Sequence, residues 1–294
     1  MKTLLRLAVL GTVLALAASP AFAQRQLGKK KGPTSKLYLA ETVGEGQITT
    51  EGKSYDAKQA TAFDAPGTVI ETKADSHQAF VYSNGTGMFV DANTRVEVDR
   101  FVQEPFRPDR NSMEVEPSIS QSDVFVARGS VGICTGQLVS GSSMNYSTPH
   151  AGVNIRGGKL SISTSDDETV VYLLEGDATV KGGGRDLGGT LLRAGEQATI
   201  RPGRPGMPPT VTVGPIDRKV VASLDDKVSV ACNAKKTVTF ETIERVSERG
   251  LDAPPGTIDD DTGAGEEEIV VRPTTPSAPP PVITVSPDRI TPGQ

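Results

Sequence analysis

Ala79-Phe80-Val81-Tyr82-Ser83-Asn84-Gly85-Thr86-Gly87-Met88-Phe89-Val90 decides the fold class of this chain. Two apolar runs flank an Asn-Gly pair, which accepts the positive φ angles that a two-residue hairpin turn requires. The same signals recur on both sides. Thr94 to Phe101 alternates polar and apolar residues, the period of a half-buried strand, and Leu160 to Ser163 repeats that alternation before an Asp166-Asp167 turn. Thr169 to Leu174 is a nearly continuous apolar strand. Glu175-Gly176-Asp177 reads as a turn into Ala178-Thr179-Val180-Lys181, Gly182 to Gly184 breaks that strand, and Gln197 to Ile200 resumes the pattern. Many short strands at close spacing predict an all-β domain, a sandwich or a solenoid.

Working outward, the ends differ from this body. Lys2 and Arg6 precede an apolar run from Leu7 to Ala18, and Ala21-Phe22-Ala23 supplies the small-residue pattern of a cleavage site before Gln24. That order predicts a signal peptide over 1–23 and a periplasmic or secreted product. The apolar run is shorter than the ~20 residues of a membrane span, so contact with a membrane is expected only through this segment. Residues 24–36 form a basic leader of net charge +5, and from residue 250 to the end the net charge is −6 with nine prolines. The second composition predicts a disordered tail over 250–294, although Ile269-Val270-Val271 and Val282-Ile283-Thr284-Val285 have the makings of docking strands. The remaining body is mildly acidic, and the leader has no aromatic to stack on a base, so nucleic acid is not the expected partner.

The body divides at about residue 201. After Pro215, Leu224, Val228, Ala231 and Cys232 fall at helical spacing, with Asp225 and Asp226 near the start and Lys235 and Lys236 at the end. This order suits a helix dipole and predicts a short helix within a 202–249 extension packed on the 37–201 domain. Thr237 to Thr242 reads as a following strand. Cys134 and Cys232 are the two cysteines. In an oxidising compartment they form a disulfide or remain as two buried thiols, and their spacing does not choose between these.

Thr148-Pro149-His150-Ala151-Gly152-Val153-Asn154-Ile155-Arg156-Gly157-Gly158-Lys159-Leu160 resembles the core of the FecR domain. Val171 to Val180 is similar to that family's leucine-glutamate-glycine strand, Leu192 to Ala198 to its closing turn, and Pro66 to Val98 to its opening unit. The resemblance covers about 66–200, in order, with Thr148, Pro149, Ile155, Arg156, Gly157 and Gly158 as its motif residues. Gly158 stands where the family usually has threonine and Leu160 where it has an aromatic. The best-known members are membrane-spanning anti-sigma regulators. Here a signal peptide precedes the domain, so the resemblance implies an exported β domain that binds an envelope protein or cell-surface component, without the sigma-factor grip.

Catalytic and cofactor patterns are not expected. Arg156-Gly157-Gly158 reads as a tight turn with Arg156 paired locally. Gly182-Gly183-Gly184-Arg185 has no following Lys-Ser/Thr and opens no helix, so it is a hairpin loop rather than a phosphate cradle. His77 and His150 lack the close ligand spacing of a metal motif. Asp166-Asp167-Glu168 and Asp259-Asp260-Asp261 lack the spaced ligands of a calcium loop. No G-x-S-x-G elbow occurs, and Cys134 has no basic neighbour in sequence. The predicted function is a non-enzymatic sensory or interaction module, with no cofactor and no metal. The alternative is a structural envelope protein that self-assembles, its proline-rich tail a spacer.

Overall fold

The computed structural model describes residues 35–106, 114–183, 186, 188–204, 207–245 and 266–273. The expected signal peptide, the leader up to residue 34, Asp259 to Asp261 and Val282 to Val285 lie outside them. The first eight strands are β1 (Lys36–Val43), β2 (Gly46–Thr50), β3 (Lys53–Asp56), β4 (Thr61–Asp64), β5 (Thr68–Thr72), β6 (His77–Tyr82), β7 (Gly87–Val90) and β8 (Arg95–Gln103). Three long strands are β9 (Ser120–Thr135), β11 (Gly152–Thr164) and β12 (Thr169–Lys181), with β10 (Ser143–Ser147) between the first two. Then come β13 (Thr190–Arg193), β14 (Glu196–Arg201), β15 (Thr210–Pro215), the helix α1 (Arg218–Thr237), β16 (Val238–Arg245) and β17 (Glu266–Pro273).

β1 to β15 join in one hydrogen-bonded sheet that the long strands fold into two layers. The first half of β9 pairs with β8, and its second half pairs with β7, Val98 facing Val124 and Met88 facing Ile133. Between the halves sits Gly129 at φ +89, where a Cβ would lie 2.6 Å from the Thr94 Cα. Only glycine lets the strand change layer there. β11 and β12 cross together at Gly158 and Gly176, which face each other in register. One layer therefore runs β4-β1-β6-β7-β9-β11-β12-β14-β15, and the other runs β3-β2-β5-β8-β9-β10-β11-β12-β13.

The inner faces share one core. Leu37, Phe80, Met88, Ile133, Leu160 and Val171 come from the first layer, and Ile48, Ile70, Val98, Val124, Ile155 and Val180 from the second. This is a sandwich, resolved from the two architectures the strand spacing allowed. The first layer is also buried on its outer face. Tyr38, Ala79 and Val81 pack with Ala234, and Phe89 with Val228, Ala231 and Cys232. That second cover explains why Ala79 to Tyr82 of β6 and Gly87 to Val90 of β7 are apolar runs instead of alternating. It also explains Gly87, where a Cβ would lie 2.0 Å from the Ala231 carbonyl oxygen.

Three local expectations are corrected. α1 begins at Arg218, capped by Asp217 Oδ1 accepting from the Lys219 amide at 3.0 Å, so Asp225 and Asp226 are mid-helix and exposed. Glu175-Gly176-Asp177 is no turn, because β12 continues through it with an irregularity opposite Gly157 and Gly158. At Asn84-Gly85 only Gly85 has positive φ; the Gly85 amide donates to Tyr82 O and the Tyr82 amide to Thr86 O, closing a three-residue loop. The Asn84 side chain turns inward instead. The Ile269-Val270-Val271 run lies in β17, which pairs antiparallel with β16, Val271 opposite Phe240 and Ile269 opposite Thr242 in register.

Candidate functional site

Two features stand out on this scaffold, an anchored carboxylate and a bare sheet edge. Val115 makes a parallel bridge to Gln137, with the Glu116 amide donating to Gln137 O at 3.0 Å and the Gln137 amide to Glu114 O at 2.7 Å. This places Glu116 inside the protein, 5% exposed. Its Oε1 accepts from Asn84 Nδ2 at 3.2 Å and from the Ser120 hydroxyl, and its Oε2 from the Val139 amide at 3.3 Å. Burial raises its pKa above the ordinary carboxylate value, against the hydrogen bonds from Ser120, Ser142, Val139 and Asn84. With its lone pairs occupied, Glu116 acts as an anchor that ties the β6–β7 turn to two loops. The sequence carries no signal for it, since its partners lie between 4 and 32 residues away.

The motif residues are spread along the β10–β11 turn and β11, and Arg156 and Gly157 lie against the 136–138 segment beside Glu116. Arg156 O accepts from the Leu138 amide at 3.2 Å, and a Cβ on Gly157 would meet Gly136 O at 3.0 Å. The Arg156 side chain is exposed, and its guanidinium has no ion pair among the described residues. Arg156-Gly157-Gly158 is therefore not the expected tight turn but lies within β11, and the donor to the Arg156 carbonyl comes from a distant segment. Ile155 is buried in the core. Thr148 and Pro149 shape the β10–β11 turn, where Thr148 Oγ1 accepts from the His150 and Ala151 amides at 3.2 and 2.9 Å.

Cys134 and Cys232 are bonded to each other, which leaves Cys134 no thiol for nucleophilic chemistry. His77 Nε2 lies 3.6 Å from Glu41 and its ring packs beside Phe89, whereas His150 Nε2 contacts Ser165 O at 3.0 Å. Among the described residues no group of three or more His, Cys, Asp or Glu could hold a metal. Glu168 ends the Asp166-Asp167 turn and pairs with Arg201 at 2.9 Å. Asp186 accepts from the Gly182 and Gly189 amides, which lower its pKa and brace the loop after β12.

The bare edge is β15. Among the described residues it pairs with β14 alone, Val211 facing Ile200 and Val213 facing Ala198. The strand reads Thr-Val-Thr-Val-Gly-Pro, with no charged residue. Val213 is 37% and the preceding Met207 63% exposed. Natural edges are guarded by charges, bulges or a covering element. Among the described residues the guards are the terminal Pro215 and Pro208 and Pro209 just before the strand. The β-branched pattern of β15 was legible, but the prolines at 202, 205, 208 and 209 hid it among loop signals.

No family model and no curated protein matches the chain. Two crystal structures of a "putative anti-sigma factor" from Parabacteroides distasonis ATCC 8503 are similar to 53% of it, at 15% and 14% identity and TM-scores of 0.38 and 0.37. The match spans 62% and 63% of those chains, less than two thirds of their length. At such scores the likeness fixes neither fold nor function here.

Proposed function

We propose that this chain is an exported, FecR-like, non-enzymatic interaction module that captures an envelope protein by strand addition at the free edge of β15. The uncharged, exposed edge carries the reading. An extended segment laid along it gains main-chain hydrogen bonds, and its alternate side chains extend the row begun by Val211 and Val213. Export is supported by the signal-peptide pattern and by the Cys134–Cys232 bond, a linkage that persists in oxidising compartments. The FecR-like reading rests on the ordered motifs from about 66 to 200.

A photo-cross-linking residue in place of Thr212, with a control in place of Asn154 in the interior of the other layer, tests this. Adducts to an envelope protein from position 212 alone support it. Equal adducts from both positions, or none, contradict it. A second reading comes from the same strand: Thr-Val-Thr-Val can pair with its own copy, so the edge also suits self-assembly. Sedimentation of the purified chain separates the readings, because self-assembly gives a mass that rises with concentration in the absence of any partner.

A further inference from the structure

At the end of the strand order opposite β15, the two layers part between edge strands β3 and β4. A cleft of about 450 Å³ opens there, within the range of small-molecule sites. Thr50 lines it, 8% exposed, and the Thr50 Oγ1 has no hydrogen-bond partner among the described residues. A buried hydroxyl without a partner costs about 1–3 kcal/mol, so a molecule that supplies one gains from it. The wall is aromatic: Tyr55 is 45% exposed, and its ring centroid lies 6.4 Å from that of buried Phe63. The rim carries both signs: Lys36, held on Asp64 at 2.6 Å, and Lys58 stand with Glu51, Asp56 and Asp64.

We propose that this cleft binds a neutral saccharide. Nearly balanced charge on the rim gives a strongly charged ligand no net field to follow. A wholly apolar ligand would leave the Thr50 hydroxyl unpaired and strip water from the rim charges. A sugar ring meets both demands. Its C–H face covers the exposed Tyr55 ring, and its hydroxyl edge bonds Thr50 and the carboxylate and ammonium groups of the rim. The volume admits a mono- or disaccharide.

The test titrates the full, exported chain with maltose, cellobiose and N,N′-diacetylchitobiose, following backbone amide shifts by NMR. Saturable shifts at Thr50, Tyr55 and Phe63 are expected with at least one of them. Tyr55→Ala should weaken that binding about tenfold. Thr50→Val should weaken it about fivefold while leaving the thermal midpoint unchanged or raised, because it removes an unpaired hydroxyl. A purely structural Thr50 would not show that split. The proposal is overturned if no sugar gives saturable shifts, if binding survives both substitutions unchanged, or if only an extended peptide fills the cleft. Because β15 lies at the other end of the sheet, these outcomes are independent of cross-linking there.

Discussion

Cys232, on the buried face of α1, is bonded to Cys134 near the end of β9, 98 residues earlier in the chain. The bond lies among Phe89, Val228 and Ala231, where the helix backbone comes close enough to the sheet to require Gly87. It fastens a helix whose apolar contact is narrow.

Replacing both cysteines by alanine should lower stability by about 4.7 kcal/mol, the chain-entropy value for a loop of this size. The sandwich core includes neither cysteine, so it should persist while α1 loosens. Denaturant unfolding and amide exchange of 218–237 measure the two effects. Unchanged exchange in the helix would show that packing alone holds it.

Gly158 faces Gly176 where β11 and β12 change layer, at φ +113, with Glu175 O only 2.0 Å from the place of a Cβ. The FecR-like pattern usually has threonine there, yet this backbone excludes a β-branched residue. Gly158→Thr is expected to destabilise the protein by about 3 kcal/mol or more. Gly195→Ala, also at positive φ but with open space around it, should cost less. Thermal unfolding of the two variants compares them directly.

Glu116 gives the protein a pH dependence of definite sign. Its folded pKa is raised above the ordinary 4.5, so the folded state binds the proton more tightly than the unfolded chain. The stability it contributes is full below the ordinary value and is lost as pH rises through the folded one. Glu116→Gln removes that slope and adds a pH-independent offset. Urea unfolding across the acidic range should therefore show the difference between the two proteins shifting in the variant's favour as pH rises. Glu116→Ala strands the Asn84 amide and the Val139 N–H and should cost about 3 kcal/mol.

What the sequence made legible was local. The 79–90 hairpin, the strand alternation and the helical spacing around Val228 all follow from side-chain period. The long strands did not, because Gly157-Gly158 and Gly176 look like ends of strands when read singly. They are in fact matched across a pair, and the ladder resumes beyond them. Asn84 showed the competing pull of turn and core: its sequence neighbours predicted a positive φ, but its amide is needed inward by Glu116. Neither Glu116 nor Thr50 carries a sequence signal, since both are defined by residues brought together only by the layers. The helix start was misplaced because Asp225 and Asp226 resemble an N-terminal pair, whereas the capping geometry belongs to Asp217.

The free edge of β15 is where the functional account is most exposed. Hydrogen exchange of the full chain, with and without envelope extract, measures it directly. Strand addition predicts that the segment 210–215 gains protection in the presence of extract while β8, paired on both sides, does not change. Unchanged exchange at 210–215, or protection gained equally throughout the sandwich, would contradict it.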